Sequence, residues 1–109
     1  MTVGERFSKI NRVIVDFHTH IFPPRLKANR EQYLGRDPSF THLYSDAKSR
    51  LATVEELIAD MDREGIDLSV VLNIGWVSHE LCVETNDYIM EVAARYPQRV
   101  VGFCACLLY

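Results

Sequence analysis

The pattern of hydrophobic residues along the chain predicts alternating strands and helices. Three short apolar runs, residues 13–17, 68–74 and 100–107, have the length and nearly continuous hydrophobicity of buried strands. Two longer segments, residues 53–64 and 81–96, carry apolar residues at helical spacing. Because parallel strands need a crossover between them, the order β-α-β-α-β predicts an α/β fold with a three-stranded parallel sheet covered by helices.

Local signals set the limits of the two helices. Thr53 followed by Glu56 forms a capping box, which predicts a helix over residues 53–64, and Gly65 follows its last turn. The second helix is expected to end before Pro97. The two apolar stripes are formed by Val54, Leu57, Ile58 and Met61, and by Leu81, Tyr88, Ile89, Val92, Ala93 and Tyr96. The run 68–74 contains so few polar residues that we expect both faces of this strand to be covered.

Two histidines at the end of the first strand are the most informative residues for function. A strand directs alternate side chains to opposite faces, so Asp16, His18 and His20 are predicted to share one face. Two imidazoles on one strand can bind a single divalent cation and supply half of a zinc-type ligand set. His18 and His20 are therefore the predicted metal ligands, and Asp16 is predicted to lie behind them and orient them. The alternative is a structural pair, with one ring bonded to a backbone carbonyl and the other hydrated.

An unusually long connection, residues 21–52, separates the first strand from the first helix. Connections of this length in compact domains are commonly lids or binding loops, and the aromatic residues here indicate that it folds back and packs. Its six basic and three acidic residues give a formal charge of +3. Such a segment beside the histidines would attract an anionic substrate, with Arg25 and Arg50 as the predicted contacts. The equally open alternative is a loop whose charges serve only hydration.

Several other residues are weaker candidates for the same end of the sheet. Asn73 and Trp76 lie near the end of the second strand and are candidates for lining a substrate pocket, although Trp76 is as readily a packing residue. His79 follows at the start of the second helix. Cys104 and Cys106 have the spacing to share one strand face, but cysteines in an apolar strand usually behave as small hydrophobic residues.

Composition narrows the class of protein. The chain has 109 residues, of which 48% are hydrophobic and 25% charged, as is typical of one small globular domain. The first twelve residues contain no signal-peptide core and no apolar stretch reaches the length of a membrane span, so we expect a cytoplasmic protein. Three cysteines do not form a secreted-type framework. The net charge of −3 gives no indication of nucleic-acid binding.

The first strand resembles that of a known family. Residues 15–23, VDFHTHIFP, are similar to the opening strand of the amidohydrolase superfamily, in the branch that contains aminocarboxymuconate semialdehyde decarboxylase. Residues 52–67 are similar to that branch's first helix and the start of its second strand. The resemblance implies a TIM (β/α)8 barrel with one divalent metal, for which His18 and His20 are the first two ligands. Zinc is expected first, with manganese or iron as alternatives.

A complete barrel needs about 250 residues. We therefore expect residues 1–109 to form a single partial domain, the N-terminal β-α-β-α-β portion of such a barrel, and the family's later strands to supply the remaining ligands and the general base. The expected function is a metal-dependent hydrolase acting on a small, carboxylate-bearing substrate, with this chain supplying the first part of the site. A metal-dependent decarboxylase is the alternative reaction. An inactive fragment or a metal-binding module is the alternative of another class, and assembly into a homo-oligomer stays open.

Overall fold

The computed structural model describes residues 12–105. These residues form three strands, β1 (Val15–Thr19), β2 (Leu68–Leu72) and β3 (Val100–Phe103). They also form five helices, which are α1 (Pro24–Ala28), α2 (Arg30–Leu34), α3 (Pro38–Tyr44), α4 (Val54–Glu64) and α5 (His79–Arg95). The strands make one parallel sheet in the order β1-β2-β3. The predicted β-α-β-α-β arrangement and its parallel sheet are therefore confirmed.

Helix α4 begins and ends where the sequence predicts. The backbone N–H of Thr53 donates to the carboxylate of Glu56 over 3.2 Å, which confirms the capping box. Gly65 ends the helix with a φ of 73°, a conformation that residues with a side chain rarely adopt. Helix α5 likewise ends before Pro97, as predicted.

One hydrophobic cluster packs both long helices against the same face of the sheet. It includes Val54, Leu57 and Met61 from α4, Ile89 and Val92 from α5, and Val71 and Val100 from the strands. Gly102 lies so close beneath α5 that a Cβ atom there would be 2.7 Å from Cγ2 of Ile89. Right-handed crossovers that progress in one direction across a parallel sheet place their helices on one side, as here.

The opposite face of the sheet is open, which corrects one expectation. In β2, Ser69 and Val71 are buried, whereas Leu68, Val70 and Leu72 are only half-buried, so the strand is fully covered on one face and not on both. In β3, Val101 and Phe103 alternate with the residues beneath α5, and Phe103 is 54% exposed. Apolar residues on both sides of a strand indicate that both faces of the sheet are suited to packing. They do not indicate which part of a protein packs on each face.

The long connection, residues 21–52, contains the three short helices α1, α2 and α3 instead of irregular loop throughout. Together with residues between β2 and the first turn of α5, it forms a second hydrophobic cluster. The members are Phe22, Leu26, Tyr33, Phe40, Leu51, Ile74, Trp76, Leu81 and Cys82. The expectation that this segment folds back and packs is therefore confirmed. Among residues 12–105, no helix combines the length and the hydrophobicity that a membrane span requires.

Candidate metal centre

His18 and His20 lie together at the carboxyl end of β1. Their Nε2 atoms are 3.1 Å apart. The two rings are nearly perpendicular, with an interplanar angle of 85° and centroids separated by 4.9 Å. His18 is exposed and His20 is half-buried, so the pair is accessible from solvent. The structure therefore brings the two imidazoles together, as the His-x-His spacing predicts.

A hydrogen bond to β2 determines the orientation of His20. Its Nδ1 atom is 2.7 Å from the backbone carbonyl oxygen of Leu72. Because a carbonyl oxygen only accepts, Nδ1 carries the proton, and Nε2 of the neutral ring presents a lone pair to His18. Histidines that bind metals commonly donate their other ring N–H to a backbone carbonyl in this way. A metal-binding histidine and a purely structural histidine bonded to a backbone carbonyl share this arrangement.

The separation of the two Nε2 atoms fits a shared cation. With metal–nitrogen bonds of about 2.1 Å, two ligand atoms of a tetrahedral centre lie about 3.4 Å apart, and two adjacent ligand atoms of an octahedral centre about 3.0 Å apart. The observed 3.1 Å lies between these two values. A divalent cation can therefore replace the proton between the rings with only a small movement of the side chains.

The part of the chain that the structure describes places two candidate ligands, His18 and His20, at this point. Within residues 12–105, no group of three or more histidine, cysteine, aspartate or glutamate side chains is arranged to hold a cation. Cys104 is exposed, unlike the buried strand cysteine that the sequence predicts, and Cys106 lies outside the described residues. His79 is exposed at the first residue of α5. Two imidazoles are half of a tetrahedral ligand set.

Asp16 contacts the pair through the backbone. Its carboxylate oxygen Oδ1 accepts a hydrogen bond of 3.1 Å from the backbone N–H of His18. The pairing register shifts between Asp16, which lies opposite Ser69, and Thr19, which lies opposite Val71. Three residues of β1 thus span two residues of β2, and the simple alternation expected for this strand is interrupted. Because this irregularity falls between Asp16 and Thr19, simple alternation does not establish that Asp16 shares a face with His18 and His20.

Ion pairs engage much of the positive charge of the long connection. Arg50 lies 3.0 Å from Asp60 and 3.7 Å from Glu56, both on α4, and Lys27 also pairs with Glu56. Arg25 is exposed on α1, five residues after His20. Of the two arginines predicted to contact a substrate, Arg50 is held at the surface of α4, whereas Arg25 is not placed in any ion pair or side-chain hydrogen bond among the residues that the structure describes.

The contacts of Glu56 predict a loss of stability in acid. Its pKa is lowered from 4.5 to about 2, chiefly by the hydrogen bond from Lys27 and next by the backbone N–H of Thr53. Because the folded-state pKa lies below the unfolded one, this stabilisation is present above pH 4.5 and disappears as the pH falls toward 2. We expect Glu56→Gln to reduce the fall in unfolding free energy between about pH 5 and about pH 3, measured by urea denaturation.

Glu64→Gln is the matched control for this prediction. Glu64 lies at the end of the same helix, and its side chain is 65% exposed. The substitution removes the same charge without touching Lys27 or Thr53, so the pH dependence should stay that of the unchanged chain. An equal reduction in both variants would contradict the assignment to Glu56.

Trp76 belongs to the packed interior near this end of the sheet, and the half-buried Asn73 is hydrogen-bonded to it. Trp76 is 1% exposed, and its ring is stacked on Phe40 with centroids 5.3 Å apart. Its Nε1–H donates to Oδ1 of Asn73, whose Nδ2 donates to Thr85 and Asn86. The predicted substrate-binding role of Trp76 is not supported by this position, because a buried and stacked ring presents almost no surface to a ligand. The structure favours the packing alternative.

Sequence reasoning missed the buried carboxylate of Asp37. Its Oδ1 caps α3 by accepting from the backbone N–H groups of Ser39 and Phe40, at 2.9 and 3.1 Å. Its Oδ2 accepts from the backbone N–H groups of Val77 and Ser78, at 2.9 and 2.6 Å, across the connection from β2 to α5. The only local signal was an aspartate before Pro38, a typical helix start. The partners at residues 77 and 78 have no sequence signature.

Asn86 is a second polar residue without a sequence signal. Its Nδ2 donates to the carbonyl of Ala105 over 2.7 Å, and its Oδ1 accepts from the N–H of Ala105 over 3.0 Å. The backbone N–H and the backbone carbonyl of Ala105, just after β3, are therefore both satisfied by one side chain of α5. This pairing requires the folded positions of α5 and β3, so no short motif encodes it.

Comparison with known proteins supports the fold. No protein-family model matches the chain, and no curated protein matches it. Among solved structures, 5-carboxyvanillate decarboxylase from Novosphingobium aromaticivorans is similar, with a TM-score of 0.67 and 18% sequence identity over 91% of this chain and 35% of that chain. The described chain has the fold of the N-terminal part of a TIM barrel. A mutant of the same enzyme matches with a TM-score of 0.65 and 18% identity over 89% of this chain and 35% of that chain.

The chain spans about a third of the length of the enzyme it matches. That enzyme was crystallised with manganese and 4-hydroxy-3-methoxy-5-nitrobenzoic acid. 4-Oxalomesaconate hydratase from Rhodopseudomonas palustris is 23% identical over 85% of this chain and 33% of that chain, but its TM-score of 0.48 is too low to support an argument. The TM-score of 0.67 to 5-carboxyvanillate decarboxylase supports the barrel-type fold that the resemblance of residues 15–23 implies.

Proposed function

We propose that His18 and His20 bind one divalent metal ion and are the first two ligands of a metal-dependent enzyme centre. The supporting observation is the position of the two rings. Their Nε2 atoms are 3.1 Å apart, and Nδ1 of His20 donates to the carbonyl of Leu72. Two imidazole nitrogens at this distance are close enough to share one proton or one cation.

The donor set and the similar enzyme favour different cations. Imidazole nitrogen is a common ligand of zinc and iron, and tetrahedral zinc sites often contain two or three histidines. The similar decarboxylase contains manganese. The 3.1 Å separation of the two Nε2 atoms suits both a tetrahedral and an octahedral centre. We propose a divalent cation at this point, with zinc and manganese as the two to be compared directly.

The proposed reaction is decarboxylation of a small carboxylate-bearing substrate. When bound, a divalent cation supplies a Lewis acid for a carboxylate or carbonyl oxygen. His18 and His20 hold this acid at the accessible end of β1, and the guanidinium of Arg25 is the proposed partner for the substrate carboxylate. Arg50 is a weaker candidate because Asp60 and Glu56 already neutralise it. The likeness to a decarboxylase favours this reaction over hydrolysis.

Hydrolysis is the second candidate. Its supporting observation is the exposure of His18, which leaves the side of the pair facing solvent open to a water molecule. Hydrolysis by zinc-type centres needs such an open position in addition to the protein ligands. Both reactions use the same two histidines. They differ in the molecule that reaches the solvent-facing side of the pair, which is water for hydrolysis and the substrate carboxylate for decarboxylation. Release of carbon dioxide from hydroxylated benzoates, compared with hydrolysis of amides and lactones, separates them.

Metal analysis of the purified chain tests the proposal first. The protein is prepared without chelator, equilibrated separately with Zn²⁺ and Mn²⁺, and analysed for metal per chain. We expect one cation per chain, which the double substitution His18→Ala, His20→Ala removes because both imidazoles at the point of convergence are lost. The affinity from a titration should fall by more than about tenfold in this variant.

A second double variant controls for non-specific binding to histidines. His42→Ala with His79→Ala removes the same number of imidazoles from exposed positions on α3 and α5. This variant should keep the full metal content. Equal metal content in the two double variants would overturn the assignment of His18 and His20, whereas loss in the first alone would support it.

A further inference from the structure

The segments on either side of the histidine pair are joined by one buried carboxylate. Asp37 is 1% exposed and accepts from four backbone N–H groups, two in the long connection and two in the connection from β2 to α5. A carboxylate buried in this way is stable only when its lone pairs are occupied, and here the donors come from two separate parts of the chain. Asp37 therefore cross-links these two parts inside the fold.

Each of the two segments joined by Asp37 is close to His20, one along the chain and the other through a hydrogen bond. On one side, Phe22 follows His20 by two residues and packs edge-to-face on Phe40, whose N–H is bound by Asp37. At the start of the β2–α5 connection, the backbone carbonyl of Leu72 accepts a hydrogen bond from Nδ1 of His20. The chain then continues through Trp76 to residues 77 and 78, whose N–H groups bind Asp37. The ring of Trp76 stacks on Phe40, so the two sides also meet through aromatic packing. His20 is thus hydrogen-bonded to Leu72 at the start of one joined segment and precedes Phe22 of the other by two residues.

We infer that Asp37 is a positioning residue for the metal centre. Its carboxylate joins the long connection to the β2–α5 connection. This link holds the Leu72 carbonyl and the residues after His20 in position, and these in turn orient the imidazole of His20. The site is then assembled before a cation arrives, and binding requires no ordering of these segments. This inference rests on the proposed function of His18 and His20, but it predicts effects on His20 that are measurable without metal.

Asp37→Asn is the sharpest test. The amide oxygen can still cap α3, because asparagine is a good N-cap residue, but its NH₂ group then faces the N–H donors of Val77 and Ser78. The cross-link is therefore broken while the helix start is kept. We expect the affinity for Zn²⁺, titrated into the otherwise unchanged chain, to fall about tenfold. We also expect faster amide exchange at Val77 and Ser78, and a mixture of His20 ring tautomers in ¹⁵N NMR spectra.

Two further variants make the result decisive. Asp46→Asn makes the same chemical change at an exposed residue of the same segment, where Oδ1 accepts from Lys48, and should change none of the three measurements. If Asp37→Asn does not fold, Asp37→Ser replaces it, since serine also caps a helix but is too short to reach Val77. All binding is compared at a temperature where each variant is fully folded.

The outcomes separate this inference from the proposed function. A lowered melting temperature of Asp37→Asn with unchanged Zn²⁺ affinity and an unchanged His20 tautomer would overturn the positioning role. Absence of Zn²⁺ binding in the unsubstituted chain would contradict the proposed function, and the tautomer and exchange measurements would then decide the role of Asp37 on their own. A tenfold weaker affinity together with mixed tautomers supports both.

Discussion

Substituting Trp76 by alanine is expected to lower the free energy of unfolding by about 3–5 kcal/mol, as for other large-to-small changes in a packed core. The indole is 1% exposed, stacks on Phe40 and donates to Asn73, so the change removes buried area, a ring contact and a hydrogen bond together. Small domains are typically stable by about 5–15 kcal/mol, so this loss is a large share of the total. Urea denaturation followed by far-ultraviolet circular dichroism measures it without relying on the chain's single tryptophan.

Two comparisons show whether Trp76 acts through packing. Val77→Ala changes the neighbouring residue, which is 46% exposed, and should cost less than about 1 kcal/mol. Trp76→Phe keeps a ring on Phe40 and should lie between the two alanine variants. If Trp76→Ala instead left stability unchanged and weakened the binding of a benzoate ligand, the substrate-binding role predicted from the sequence would be correct and the packing role wrong.

Substituting Asn73 by alanine is expected to cost about 3 kcal/mol. Its Oδ1 accepts from the N–H of Ile74 and from Nε1–H of Trp76, and its Nδ2 donates to Thr85 and Asn86. Alanine leaves two buried donors without an acceptor, and each such donor costs about 1–3 kcal/mol. The measurement is again the free energy of unfolding from denaturant titration.

Asn29→Ala is the control for the Asn73 substitution. The side chain of Asn29 makes one exposed hydrogen bond, 2.8 Å to the carbonyl of Arg25, and water can replace it. This variant should lose less than about 1 kcal/mol. Similar losses for Asn29→Ala and Asn73→Ala would contradict the view that the half-buried side chain of Asn73 joins the end of β2 to α5.

The parts of the candidate site that the sequence predicts are those encoded within a few residues. His18 and His20 are separated by one residue, so any extended backbone brings their side chains near each other. Asp16 shows the limit of this reasoning, because one irregular step in pairing with β2 interrupts the alternation. Arg50 shows another limit, since the carboxylates that hold it lie six and ten residues further along the chain on α4.

By itself, the sequence determined the features that depend on local chemistry. These are the β-α-β-α-β order, the start of α4 at Thr53, its end at Gly65 and the His-x-His pair, and each follows from periodicity, capping or spacing over a few residues. Only the tertiary structure decided which face of the sheet is covered, that Trp76 is buried, and that Asp37 joins two distant segments. These outcomes depend on contacts between residues far apart in the chain, where burial and hydrogen-bond partners are set by the folded arrangement and not by neighbouring residues.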